Sequence, residues 1–269
     1  MGLADDIAAR RRSLDPLAKD IRILTLDIEW RPMVVYSWGL WDQNHSIDQI
    51  VDDGGMLSFA AKWINERSTV FHADWTEGGH EGMVRAAHDL LSEADVLITY
   101  NGDKYDIKKM NQEFMLAKMP PPRPFKSIDL LKTNKARFDL PSRKLDYLAQ
   151  RTGVGAKTPH TGFQLWLDCM AGDPKAHALM EKYNRQDVAI TERAYLRLLP
   201  WLTNAPHLGM YMRDQSFVCP YCGSKIGHSL EGLAHTNVQS YDLFQCKRCQ
   251  GWSRGLTRKQ DPTRTRPLR

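Results

Sequence analysis

No apolar run in the 269-residue sequence approaches the roughly 18 residues needed to span a bilayer, so no membrane helix is expected. The opening residues, MGLADDIAARRR, lack the apolar stretch of a secretory signal, and Asp6 stands where a myristoylation motif requires Ser or Thr. A cytoplasmic protein without membrane attachment is expected. Cysteine is scarce: the five present argue against a disulfide framework in such a compartment. No internal repeat is visible. Net charge is absent from most of the chain as well. Arg254, Arg258, Lys259, Arg264, Arg266 and Arg269 against Asp261 account for the whole excess of +5. A neutral body with a basic end suits approach to a polyanion, and equally a solvated terminus.

The composition that remains, 42% apolar and 26% charged, is that of a soluble globular protein, and the length allows one full core plus a smaller appendage. Residues 22–30 alternate as a strand, with Leu24, Leu26, Ile28 and Trp30 on one face and Ile23, Thr25, Asp27 and Glu29 on the other. β-prone runs recur at 34–41, 57–63, 69–72 and 96–100, with a helix over 81–93 before the last. The turn Asn101-Gly102-Asp103 opens a helix to about Lys118, and the proline cluster 120–124 closes it as a rigid connector. A strand near 127–130 and a helix near 143–151 follow. Asp173-Pro174 marks the start of a long last helix ending before Pro200. Strands followed by strand–helix alternation imply an α/β architecture, a mixed sheet covered by helices.

Four carboxylates stand out. Asp27 and Glu29 share one face of a strand with Cα atoms about 6.6 Å apart, which suits chelation or simple exposure. Asp187 lies in the stripe Ala176, Met180, Tyr183, Asp187, Ile190, Ala194, Leu198, the spacing of a buried helical face, with Tyr183 one turn before it. A buried carboxylate needs a partner, and no basic residue occupies the equivalent inward positions, so a metal ion is expected; a partly exposed Asp bonded to the tyrosine hydroxyl is the alternative. Asp106 sits in the first turn of a helix, where the helix dipole alone would favour it, and Asp103 competes for the same role.

Together, strand Asp-x-Glu, then Tyr-Asn-Gly-x-x-Tyr-Asp at a strand-to-helix turn, then Tyr-x-x-x-Asp in YNRQDVAIT resemble the DEDDy branch of the DnaQ-like 3′–5′ exonucleases, of RNase H-like fold. The proofreading domains of family B DNA polymerases belong to this group. SRKLDYLAQRTGVGAK is similar to the Lys-Leu-Asp helix and glycine turn between their motifs. MLSFAAKW and GFQLWLDCMAGDP resemble stand-alone phage-encoded exonucleases of the group, for which the host cytoplasm is the expected location. The resemblance covers residues 21–200. It implies two Mg²⁺ or Mn²⁺ ions. Asp27 would bridge both, Glu29 and Asp187 would hold the ion carrying the attacking water, Asp106 would support the second, and Tyr183 would orient the water. Asn101 and Tyr105 of the second motif are expected to contact nucleic acid. Oxygen ligands without histidine or thiolate favour Mg²⁺ or Mn²⁺ over Zn²⁺.

Cys219-Pro-Tyr-Cys222 and Cys246-Lys-Arg-Cys249 have the spacing of a four-cysteine zinc ribbon, expected to hold one structural Zn²⁺. His228 and His235 are spare ligands. A redox dithiol fails on context, since a second pair follows and no strand–helix–strand unit surrounds the first. Lys247, Arg248 and Trp252 suggest backbone contact and base stacking, with protein docking as the competing use. The expected organisation is an arm over 1–20, an RNase H-like domain over 21–202, a ribbon over 210–256 and a basic tail over 257–269. The expected function is metal-dependent 3′–5′ hydrolysis of DNA at single-stranded ends. An RNA exonuclease, a structure-selective endonuclease and a catalytically silent binding protein are the alternatives. The chain is too short to include a polymerase, so a proofreading role requires a separate replication or repair partner.

Overall fold

The computed structural model describes residues 2–14, 21–64, 66–159, 161–212, 217–225 and 227–259. The expected arm is therefore described only over 2–14, and the expected basic tail only to Lys259; the rest of both lies outside the described residues. In chain order the elements are α1 (Leu3–Leu14), β1 (Ile23–Arg31), β2 (Val34–Val35), β3 (Ile50–Asp52), β4 (Gly55–Trp63), β5 (Val70–Ala73) and α2 (Gly79–Glu93). There follow β6 (Val96–Thr99), α3 (Asp106–Leu116), β7 (Lys126–Asp129), α4 (Leu130–Arg137), α5 (Leu145–Thr152), α6 (Gln164–Met170) and α7 (Pro174–Leu198). The last three strands are β8 (His228–His235), β9 (Ser240–Cys246) and β10 (Trp252–Lys259).

The central sheet has the order β5-β4-β1-β6-β7, with β4 antiparallel to both β5 and β1 and with β6 parallel to both β1 and β7. This is the mixed sheet that strand–helix alternation predicts. Both faces of β1 are buried, as a central strand requires. Leu24, Leu26 and Ile28 pack with Phe59, Met83, Ala87, Met110 and Phe114 beneath α2 and α3. Ile23 faces the opposite side, where Leu148 of α5 and Ile190 and Ala194 of α7 close the core. α7 starts as its sequence predicts: the Asp173 carboxylate accepts from Lys175 N at 2.9 Å and Pro174 fills the first helical position. Among the described residues no helix is long and apolar enough to cross a membrane.

One expectation is corrected. The strand expected over 34–41 shrinks to Val34–Val35 paired with β3, and Trp38, Leu40 and Trp41 are exposed. Its apolar residues imitate a core strand, but the segment extends outside the sheet and finds no surface to cover it. Two helices were not foreseen. α4 buries Leu130, Thr133 and Asn134, two of them polar, so it carries no apolar period to read. α6 is a helix of seven residues that buries only Leu165 and Cys169. The Cys169 thiol is pushed up to about 12, first by burial, and remains an inert core group.

The C-terminal strands form a separate sheet, β10-β9-β8. Its cysteine knuckles pack into the same core cluster as Tyr195, Leu199, Leu202 and Leu208, so the ribbon is attached through shared apolar surface.

Candidate functional site

Asp27 and Glu29 occupy the face of β1 turned toward α7. Their cross-strand neighbours on β4 are Ala60 and Ser58, small residues that leave room beside the carboxylates. α7 delivers Tyr183, Asn184 and Asp187 to the same place, all buried. Asn184 ties the two elements together. Its Nδ2 donates to the Asp27 backbone oxygen at 3.2 Å and to Asp27 Oδ2 at 3.0 Å, while Ser58 Oγ donates to Asn184 Oδ1 at 3.3 Å. Asn184 was not foreseen, although its place between Tyr183 and Asp187 on one helix was legible.

One carboxylate oxygen from each of Asp27, Glu29 and Asp187 lies within 4.8 Å of the other two. Two oxygens on one small hard cation lie up to about 4.2 Å apart, so slight closure brings the three onto a divalent ion. Their electrostatics fit the same occupant. Burial, then the charges of Asp106, Glu29 and Asp187, hold the Asp27 carboxyl well above its usual range. Burial and then Asp187 lift Glu29 to about 8, partly offset by Lys157. Enclosed carboxylates in such proximity take up either protons or a cation.

Asp106 adjoins this group without joining it. Its Oδ1 accepts from Ile28 N at 3.2 Å, between the two β1 carboxylates, and burial raises it to about 6 against that hydrogen bond. The competing Asp103 is paired instead with Lys132 and Ser127, so the structure removes it from the site.

The expectation of no inward basic partner is overturned. Lys157 Nζ pairs with Asp187 Oδ2 and donates to Tyr183 OH at 3.2 Å. Burial works against its charge, but Asp187 and Tyr183 outweigh it and hold the ammonium firmly protonated. Asp146 Oδ1 accepts from Lys157 N at 2.9 Å, and Gly153 at φ 70° and Gly155 at φ 146° turn the chain between them. The Lys-Leu-Asp helix and glycine turn thus place this lysine. It escaped sequence reading because it sits in a loop without periodicity, and one lysine does not neutralise three carboxylates.

A cleft of about 460 Å³ opens at Glu29, lined by Trp30, Pro32, Tyr105, Phe163 and Trp166. Trp166 meets Tyr183 edge-on at 6.2 Å between ring centroids. Phe163 and Trp166, from α6 and its entry, were not anticipated. Tyr105 lines the cleft. Asn101 forms the adjoining turn at φ 73°, and its N–H donates to Asp129 Oδ1 at 2.8 Å. A Cβ on Gly102 would come within 2.3 Å of Thr99 Oγ1, so that turn requires glycine.

The four thiols of Cys219, Cys222, Cys246 and Cys249 are buried and lie within 4.8 Å of one another. The Sγ atoms of Cys219 and Cys249 are 3.6 Å apart, and those of Cys222 and Cys246 are 3.7 Å apart. A tetrahedral Zn–S₄ site with bonds near 2.3 Å has edges of about 3.8 Å, so the thiols fit zinc. Gly251 N donates to Cys249 Sγ at 3.4 Å. His228 and His235 are engaged with Ser224 O and Ser240 Oγ. Lys247 and Arg248 are exposed on the second knuckle and Trp252 is half-exposed beside it, outside the carboxylate cleft.

A family model described as the RNase H superfamily matches residues 54–199, a stretch that holds Asp106, Lys157, Tyr183 and Asp187 and begins after Asp27 and Glu29. No curated protein matches the chain. Among solved structures, it is similar to the family B DNA polymerase from the hyperthermophilic archaeon Pyrobaculum calidifontis. That superposition has a TM-score of 0.50 at 17% identity and covers 67% of this chain and 25% of the polymerase. The matched part is thus a quarter of the polymerase's length.

Proposed function

The chain belongs to the RNase H superfamily, and on that premise we propose that it is a metal-dependent 3′–5′ exonuclease acting on DNA, with single-stranded 3′ ends preferred. The observation that carries this reading is the convergence of Asp27, Glu29 and Asp187 oxygens within 4.8 Å, with Asp106 beside them and Tyr183 near enough for Glu29 and Asp187 to act on it. Asp27, Glu29 and Asp187 would hold Mg²⁺ or Mn²⁺, with Asp106 supporting a second ion. Divalent cations held there would supply a water made nucleophilic near neutral pH and compensation for charge on the leaving oxygen. The rest falls to the chain. Tyr183 keeps its hydroxyl proton, because burial, Glu29 and Asp187 all oppose the phenolate, so it can donate to and orient a water. Lys157, fixed on Asp187 and Tyr183, presents positive charge to an incoming phosphodiester. The aromatic cleft offers an unpaired terminal base stacking surfaces, which supports a single-stranded end.

The four-cysteine group would hold one structural Zn²⁺, and Lys247, Arg248 and Trp252 on it would contact the strand. Likeness to a family B polymerase supports a replication or repair setting, with a replication or repair protein as partner. Oligonucleotides labelled at the 3′ or the 5′ end, incubated with Mn²⁺, test the reading. Stepwise shortening from the 3′ end, faster on DNA than on RNA, is expected. Internal cuts on circular DNA would make the protein an endonuclease, and a preference for RNA would reassign the substrate.

A further inference from the structure

The nuclease reading leaves unused a cationic surface that reaches from the carboxylate site to the ribbon. α4 forms its spine. At one end Asp129 caps the helix through Leu131 N at 2.9 Å, holds Asn101 N at 2.8 Å, and lies near enough for its charge to act on Asp106. Eight helical residues later, about 12 Å away, Arg137 lies close enough to the ribbon's Tyr221 for its charge to act on the phenol. The helix thus begins at the candidate site and ends at the ribbon.

Leu130, Thr133 and Asn134 of α4 are buried, whereas Lys135 in its last turn and Arg137 at its end are exposed. The following loop adds Arg143 and Lys144, both exposed. That loop is pinned toward the site, because Tyr100 OH donates to Arg143 O at 2.6 Å and receives a hydrogen bond from Asn134 Nδ2 at 2.9 Å. Between residues 130 and 144 the sole acidic residue is Asp139. Lys132 is engaged by Asp103, but among the described residues Lys135, Arg137, Arg143 and Lys144 form no ion pair. Phe138 closes the helix and meets the half-exposed Trp201 at 5.6 Å between centroids, adding an aromatic surface to the strip. A charge run is ordinarily a solvated face. This one differs in having its ends at two other polyanion-suited features and an aromatic pair beside the second.

We propose that Lys135, Arg137, Arg143 and Lys144, with the Phe138–Trp201 pair, bind the sugar–phosphate backbone of a single DNA strand whose 3′ end enters the carboxylate cleft. The strand then runs along α4 to the ribbon, and one chain grips it at three successive places. This rests on the nuclease reading for the placement of the 3′ end, but binding can be measured apart from hydrolysis.

The full chain is titrated with a fluorescein-labelled oligothymidylate, without added Mg²⁺ or Mn²⁺, across a series of salt concentrations. Each phosphate neutralised on a single strand contributes about 0.7 to the slope of log K against log salt. The variant Lys135→Ala/Arg137→Ala/Arg143→Ala/Lys144→Ala is expected to lower that slope by about 2 to 3 and to weaken low-salt binding at least about tenfold. All four side chains are exposed, so the fold should persist, and a circular dichroism melt checks it. Lys135→Glu alone, less demanding of the fold, should weaken binding in the same direction. Trp201→Phe should remove part of the tryptophan quenching that DNA produces. An unchanged slope and affinity in the multiple variant, or no binding by the parent, overturns the proposal. Failure of the parent to hydrolyse DNA with Mn²⁺ would instead count against the nuclease reading and leave the binding comparison standing.

Discussion

At the scale of single residues, the site is a place where like charges have been gathered at a cost to folding. Asp27 is the most crowded, facing Asp106, Glu29 and Asp187 from within the protein. Asp27→Asn removes one charge and keeps an oxygen to accept from Asn184. It should lower hydrolysis by about 10²-fold or more, and raise the melting temperature of the metal-free protein at alkaline pH, read by calorimetry. The pH dependence has a definite sign. Glu29 near 8 and Asp106 near 6 lie above the carboxylate values of an unfolded chain, near 4. The folded state therefore prefers them protonated: their contribution is complete below about pH 4 and is lost as pH rises through about 6 and about 8. The metal-free melting temperature should fall from about pH 5 to about pH 8, and saturating Mn²⁺ should abolish the fall. A flat metal-free profile would mean that the carboxylates do not repel as described.

At the scale of elements, legibility followed apolar patterning. β1 and α7 were readable because their apolar residues repeat at two and at three to four, and β4 and β6 because they are short β-prone runs. α4 was hidden because its buried face includes Thr133 and Asn134. The segment after β2 misled because Tyr36, Trp38 and Trp41 are apolar yet exposed. The cap of α7 is testable alone. Asp173→Ala removes the side chain that accepts from Lys175 N, at a cost of about 1 kcal/mol, or ~2–4 °C in a thermal melt. Asp187 lies about 20 Å further along the helix, so the stabilisation that Mn²⁺ gives should be unchanged. A loss of metal response would mean that the helix start sets the site.

At the scale of the whole molecule, the two metal-suited sites are linked by the core. Cys219, Cys222, Cys246 and Cys249 pack in the same cluster as Tyr195 and Leu199, at the end of the helix that carries Asp187. Removing zinc with a chelator, or by Cys249→Ser, should therefore lower the main melting transition rather than add a separate small one. Elemental analysis of the untreated protein should show about one zinc per chain. An undiminished main transition in the zinc-free protein would show that the ribbon contributes nothing to the body.

What the chain determines by itself is whatever lies close in sequence: the Asp-x-Glu face of β1, the stripe holding Tyr183 and Asp187, the cysteine knuckles and the capped start of α7. Short-range geometry places those residues on one side of an element whatever the element packs against. Tertiary structure alone decided that Asp27 and Asp187 meet, that Lys157 stands between Asp187 and Tyr183, that Asp103 turns away to Lys132, and that Phe163 and Trp166 close the cleft. Those encounters join loops and elements far apart along the chain. They are set by how α6, α7 and the glycine turn settle on the sheet, for which no local pattern in the sequence stands as a signal.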